Sequence, residues 1–157
     1  MSYFSKRESV EQIEESCELA PKFDKDGLLP VTTSDAKTGE ALMHGFMNEE
    51  ALAKTIETGE AYYWSRSRRL LWHKGADSGM IQKVIELRID DDQDAVWLRV
   101  ELQGKAASCH VGYRSCFYRS VPLGKKPDPS LKLHFEEKEK NFDPKEVYGT
   151  APNPTKL

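Results

Sequence analysis

No stretch of this sequence is apolar for long enough to span a bilayer, and its N-terminal residues, MSYFSKRESVEQIEESCELA, are charged where a signal peptide carries its apolar core. The expectation is a cytoplasmic protein with no membrane partner. Cysteine is scarce: Cys17, Cys109 and Cys116 are the only three. They are too few for a closed disulfide framework, and a reducing compartment favours thiols that are free or metal-bound. Positive charge is not in excess either. With 23 basic against 26 acidic residues and a net charge of -3, no global field calls for nucleic acid or an anionic membrane, so an anionic substrate must be met locally. There is no internal repeat. What is present is a chain of 157 residues with 38% hydrophobic content, enough for one ordinary domain around a single core.

Read in order, the chain alternates strand and helix signals. Ser9 followed by Gln12 forms a capping box, and Val10, Ile13 and Cys17 recur at helical spacing as far as Pro21, which predicts a short amphipathic helix with Cys17 on it. From Leu28 to Phe46 two strand-like runs flank Lys37, Thr38 and Gly39, a β-hairpin signal. Asn48 is a helix N-cap, with Glu49 and Glu50 in the first turn, Leu52 and Ile56 on one face and Gly59 as the stop. Ala61 to Ser65 reads as a strand leading into a basic hairpin, SRSRRLLWHKG. Ile85, Leu87 and Ile89, then Val96, Leu98, Val100 and Leu102, alternate with polar residues and predict two half-buried strands. The fold class is therefore α+β, mostly antiparallel β-strands with one or two short helices. Residues 1–125 form the catalytic domain, and residues 126–157 form a charged, proline-containing extension that is poorly ordered or surface-draped, with one helical turn between Leu131 and Lys140.

Three constellations carry chemistry. Asp90, Asp92 and Asp94 recur with the period of an extended chain and would project from one side of it towards a magnesium- or calcium-like ion. The run also matches part of an EF-hand loop, but Ala95 stands where that loop requires glycine, and a solvated acidic turn is the bland alternative. Cys109 and Cys116 are soft ligands suited to zinc, short of the three that a catalytic zinc needs. Two buried thiols in a strand, or a nucleophilic Cys109 with His110 as its base, are the alternatives. Arg66, Ser67, Arg68 and Trp72 could grip phosphate and stack on a base, and Arg114 and Ser115 offer a second place to hold an anion; a solvated hairpin is the commoner fate of such charge.

Taken together, LMHGFMNEEAL, TGEAYYWSRSRRLLWHKGADSG, the alternating aspartates of Asp90 to Ala95 and CHVGYRSCFYR resemble the phosphoribosyl-AMP cyclohydrolase family of histidine biosynthesis, over roughly residues 28 to 119. The resemblance implies a magnesium ion on Asp90, Asp92 and Asp94, and a zinc ion on three cysteines, two of which match Cys109 and Cys116. The third family cysteine aligns with Asp91, so the implied zinc set is Cys109, Cys116 and Asp91. It further implies roles for Lys74 and His110 in the reaction, and a homodimer of intertwined subunits with zinc ligands drawn from both chains. The implied substrate is a small phosphorylated nucleotide, 1-(5-phosphoribosyl)-AMP, whose adenine ring is opened between N1 and C6 by a zinc-activated water. The stretch after Arg119 is too short for the second, pyrophosphohydrolase domain that some members carry. A diverged relative acting on another purine nucleotide, or a non-catalytic metal- or nucleotide-binding module, is the alternative that Asp91 keeps open; nucleic-acid binding through Arg66 to Arg69 conflicts with the acidic net charge.

Overall fold

The structure, a computed structural model, describes residues 2–157. Its elements in chain order are α1 (Val10–Glu15), β1 (Leu29–Asp35), β2 (Ala41–Met47), α2 (Glu49–Thr58), β3 (Tyr62–Ser65), β4 (Leu70–His73), β5 (Gln82–Ile89), β6 (Val96–Leu102), β7 (Arg119–Ser120), β8 (His134–Phe135) and α3 (Pro144–Tyr148). The architecture is α+β with mostly antiparallel pairing. The main sheet has the order β2-β1-β6-β5; β1–β2 and β5–β6 are antiparallel, while β1 and β6 run parallel at its centre.

The sheet forms where the sequence alternates, because alternate side chains of a strand share a face. Leu29 and Val31 of β1, Met43 and Met47 of β2, and Val96, Leu98 and Val100 of β6 all turn to the core. Leu52 and Ala51 of α2 cover them, and Tyr63 of β3 closes the layer. Burying each large apolar side chain contributes about 1.5–3 kcal/mol. Asn48 caps α2 by accepting from the Ala51 N–H at 2.8 Å, and Gly59 ends the helix in the left-handed conformation at φ 72°. Leu52 faces inward as its spacing predicts, but Ile56 is about half exposed. Its place on the inner face is taken by Thr55, whose hydroxyl donates to the Ala51 carbonyl at 2.8 Å.

Several expectations change. The Ser9–Gln12 capping box is present, but α1 ends at Glu15 with Ser16 extended, so Cys17 lies beyond the helix and is exposed. In β5 the register slips between Val84 and Glu86, and Ile85 is turned outward; one extra residue moves a side chain to the other face. The tail is organised. β8 pairs with β7, Phe142 is buried with Met80 and Ala107, and the short helix lies at Pro144–Tyr148 instead of between Leu131 and Lys140, started by the Asp143 cap and a proline. No helix among the described residues is long and apolar enough to cross a membrane.

Candidate active site

The acidic run is a tight turn between β5 and β6, not an extended segment. The Asp90 carboxylate accepts the N–H groups of Asp94 and Ala95 at 3.0 and 3.1 Å, and Gln93 adopts φ 59°. This curvature brings Asp90, Asp92 and Asp94 together, each offering an oxygen within 4.8 Å of the others. Burial and the neighbouring carboxyls push the Asp94 carboxyl up from its ordinary value. Crowded oxygen donors of one sign suit a hard cation, which would relieve that repulsion. Gln93 serves as an anchor: its side chain donates to the carbonyls of Ile13 and Glu18 at 2.9 and 3.1 Å and accepts the Ala20 N–H at 2.8 Å. The N-terminal segment is thereby tied to the turn. Asp91 between them is exposed and, among the described residues, takes part in no hydrogen bond.

At the far end of β5 and β6 lies a second polar cluster. Residues 103–118, expected in part as a strand, form an irregular loop held by the N–H groups of Ser108 and Cys109 donating to the carbonyls of Arg114 and Tyr113, and by Gly112 donating back to Cys109. The loop brings the two thiols into contact, Cys109 buried and Cys116 exposed. The neighbouring Cys116 thiol lowers the Cys109 thiol to about 6, with His110 and Lys74 adding to the effect, and Cys109 together with burial pushes the Cys116 thiol up. Lys74, at the end of β4, is buried; its ammonium donates to the Ser108 carbonyl at 2.7 Å and lies 4.8 Å from the Trp72 ring centroid. Burial holds this lysine below its ordinary value. His110 Nε2 is buried with no hydrogen-bond partner, a cost of about 1–3 kcal/mol that is tolerable where a ligand supplies the partner.

Cys109 and His110 do not lie in a strand, where adjacent side chains would point to opposite faces. Gly75, in the turn after Lys74, has φ 88°, and a Cβ there would stand 2.3 Å from the Ile81 nitrogen. The glycine of WHKG is thus needed to bring the lysine back under the loop.

The β3–β4 turn carries Arg66, Ser67 and Arg68, all exposed. Arg66 stacks 4.0 Å over Phe46, and Arg68 lies 5.4 Å from the Trp72 centroid, close enough to Lys74 to oppose its charge. Arg114 is held by two carboxylates, Glu40 and Glu137. The Ser115 hydroxyl is also engaged, donating to the Ala41 carbonyl at 2.8 Å. The structure thus gathers Lys74, Trp72, Arg68, Cys109, His110 and Cys116, ties Arg114 and Ser115 into the scaffold behind them, and leaves Asp90 to Asp94 apart. Since β6 is 7 residues long, the two groups are separated by roughly 20 Å of strand, at about 3.3 Å per residue. Among the described residues of one chain, no third histidine, cysteine or carboxylate joins the thiols in a ligand-sized group.

Residues that sequence patterning passed over also belong to this site. Gln82, Tyr63 and Thr33 are fully buried polar side chains beneath the loop. Each lies in a strand where apolar alternation dominates the signal. On the adjoining hairpin, the Glu60 carboxylate accepts from His73 Nε2 at 2.8 Å, while His73 stacks on Tyr62 at 4.3 Å.

A family model described as phosphoribosyl-AMP cyclohydrolase matches residues 43–118, which run from within β2 through β6 and the thiol loop. A protein of that name from Nitrobacter winogradskyi is 52% identical over 140 residues, covering 89% of this chain and 94% of the relative. One from Rhodopseudomonas palustris is 54% identical over 139 residues, 88% of this chain and 90% of its own length. Fold, site and relatives together define a hydrolase. Within that class, the chain belongs to the phosphoribosyl-AMP cyclohydrolase family.

Proposed function

We propose that this chain hydrolyses the N1–C6 bond of the adenine ring of 1-(5-phosphoribosyl)-AMP, as a cytoplasmic homodimer that holds zinc and magnesium. The reading is carried by the convergence of Lys74, Cys109, His110 and Cys116 on one cluster, beside an imidazole nitrogen that lacks a partner. Zinc fits the thiol pair, because one of the two already favours the thiolate, the form that binds metal. Its third ligand is Asp91 of a second copy, since the Asp91 of the same chain lies at the other end of β6. Magnesium fits the oxygen cluster of Asp90, Asp92 and Asp94.

Zinc, when bound, lowers the pKa of a coordinated water to about 7, which supplies a nucleophile at neutral pH. The protein's own groups do the rest. His110 Nε2, with no internal bond to break, takes a proton from the attacking water and delivers it to N1 as the C6–N1 bond breaks and a C6–O bond forms, while the second proton of that water passes to the exocyclic nitrogen on C6, which becomes the amide NH2. C6 becomes the carbonyl carbon of a carboxamide, and N1 leaves as a protonated amidine nitrogen. The Lys74 ammonium, fixed by the Ser108 carbonyl, stabilises charge that develops on the C6 oxygen. Trp72 presents its ring to the base, and Arg66, Ser67 and Arg68 receive phosphate.

Incubating the purified protein with phosphoribosyl-AMP, and following the absorbance change as the ring opens, tests the reading. A strain lacking the cyclohydrolase should regain growth without histidine. His110→Ala should lower kcat by about 100-fold or more, the loss expected for removing a general acid–base. If turnover persists within twofold in that variant, the assigned role is wrong.

A further inference from the structure

The polar residues below the thiol loop form a continuous hydrogen-bonded chain. The Tyr63 hydroxyl donates to Gln82 Oε1 at 2.7 Å, and the amide nitrogen of Gln82 donates to Ser108 Oγ at 3.2 Å and to the Met43 sulfur at 3.2 Å. Because the tyrosine has one proton and spends it on Gln82, Thr33 Oγ1, 2.6 Å from the phenol oxygen, donates to it. The direction of the whole chain is therefore fixed, running Thr33 to Tyr63 to Gln82 to Ser108. Thr33, Tyr63 and Gln82 are at most 1% exposed and Ser108 is 3% exposed. Water cannot replace any link from outside.

Ser108 is where the chain meets the chemistry. Its N–H donates to the Arg114 carbonyl at 2.9 Å, its hydroxyl accepts from Gln82, and its carbonyl accepts the Lys74 ammonium at 2.7 Å. It also precedes Cys109 directly. Three independent bonds thus pin one residue that sets both the lysine position and the backbone carrying the first thiol. The loop has no strand pairing of its own to do this.

We propose that Gln82 is a positioning residue: from the rigid end of β5 it fixes Ser108, and through Ser108 it places Lys74 and Cys109 for the reaction. The inference rests on the cyclohydrolase reading for the identity of the reaction, but not for the geometry. A misplacement of reacting groups by about 1 Å costs about 100-fold in rate. Gln82→Leu removes all three amide contacts, to Tyr63, Ser108 and Met43, at similar volume, and Ser108→Ala removes only the hydroxyl that receives the amide.

The experiment compares both variants with the parent and with Leu52→Ala, a core control in α2, in steady-state kinetics on phosphoribosyl-AMP at matched folded fraction. Each protein is also loaded with cobalt(II), whose thiolate charge-transfer absorption reports the geometry of Cys109 and Cys116. The expected result is a kcat about tenfold to 100-fold lower in Gln82→Leu and Ser108→Ala, with KM changed less than about threefold and a shifted cobalt band. Leu52→Ala should lose melting temperature while keeping kcat. If Gln82→Leu does not fold, Ser108→Ala carries the test alone. A Ser108→Ala kcat within twofold of the parent, with an unchanged cobalt band, overturns the proposal. If the parent itself does not turn over phosphoribosyl-AMP, the functional reading fails, and the cobalt band alone then decides the positioning role.

Discussion

Asp91 and Tyr63 show how single side chains bear on this site from opposite directions. Asp91 is exposed and, among the described residues, takes part in no hydrogen bond, which leaves its carboxylate available for the zinc role proposed above. A carboxylate binds zinc at about 2.0–2.2 Å and is a harder donor than thiolate. Asp91→Ala should therefore weaken zinc, and Asp91→Cys should tighten it, measured by competition with a chromogenic chelator. Equal affinity in parent and Asp91→Ala would remove Asp91 from the ligand set. Tyr63 works from within. Burial holds its phenol well above the ordinary value of 10.0, so the folded state keeps a proton that the unfolded chain releases. The stability it contributes is complete below about pH 10 and is lost as pH rises further. Lys74, lowered by burial, has the opposite effect below its ordinary value, so the informative quantity is the difference between parent and Tyr63→Phe. That variant should be less stable by about 1–3 kcal/mol near neutrality, from the partners left unpaired on Thr33 and Gln82. The gap should narrow above pH 10 in denaturant titrations.

Among the elements, the C-terminal segment alters the picture most. Asn141 donates its backbone N–H to the Gly112 carbonyl at 2.7 Å and its side-chain amide to the Ala106 carbonyl at 2.9 Å. Phe135 joins the stack of Tyr113 on Tyr118, whose rings are 3.9 Å apart. The thiol loop is thus clasped from outside by the tail, as Ser108 holds it from inside. Gly112 is the contact point: at φ 107° it has no room for a side chain, and a Cβ would stand 2.3 Å from the Phe142 carbonyl oxygen. Gly112→Ala should displace residues 134–148, seen as rapid proteolysis after Arg119, and lower the melting temperature by several degrees, as expected for a strain of about 1–3 kcal/mol. An unchanged cleavage pattern would show that the tail does not depend on this contact.

At the scale of the whole molecule, the separation of the two ligand groups along β6 is the feature that a second copy would resolve. One chain holds thiols at one end of the sheet and Asp91 at the other, so the zinc site proposed above would be completed only by two chains arranged to bring unlike ends together. Mixing an Asp91→Ala protein with a Cys109→Ala protein, each inactive alone, should then restore activity. In a statistical heterodimer one of the two sites is intact, and recovery should approach about a quarter of the parent rate when subunits exchange freely. Absence of recovery, with exchange shown by a mass-tagged subunit, would place all the ligands within one chain.

The sequence by itself determined the elements whose signals are local. Alternation in Val96 to Leu102, the Asn48 cap with the Gly59 stop, and the Ser9–Gln12 box each depend on neighbours within a few residues, and each stands in the structure as read. It also held the motif residues from which the family could be recognised. Only the tertiary structure decided how those residues meet. The aspartates converge through a turn stabilised by the Asp90 carboxylate and anchored by Gln93 to the N-terminal segment, not through the extended period of the chain. Lys74 reaches Ser108 across 34 positions of sequence, and Tyr63 reaches Gln82 across 19. Such contacts leave no local trace, because a buried polar side chain in an alternating strand looks like any other inward position until its partner is known. The docking of the surface-draped tail is hidden for the same reason: Phe142 is one apolar residue in a charged stretch, and it is buried only because Met80 and Ala107 wait for it on a surface built elsewhere in the chain.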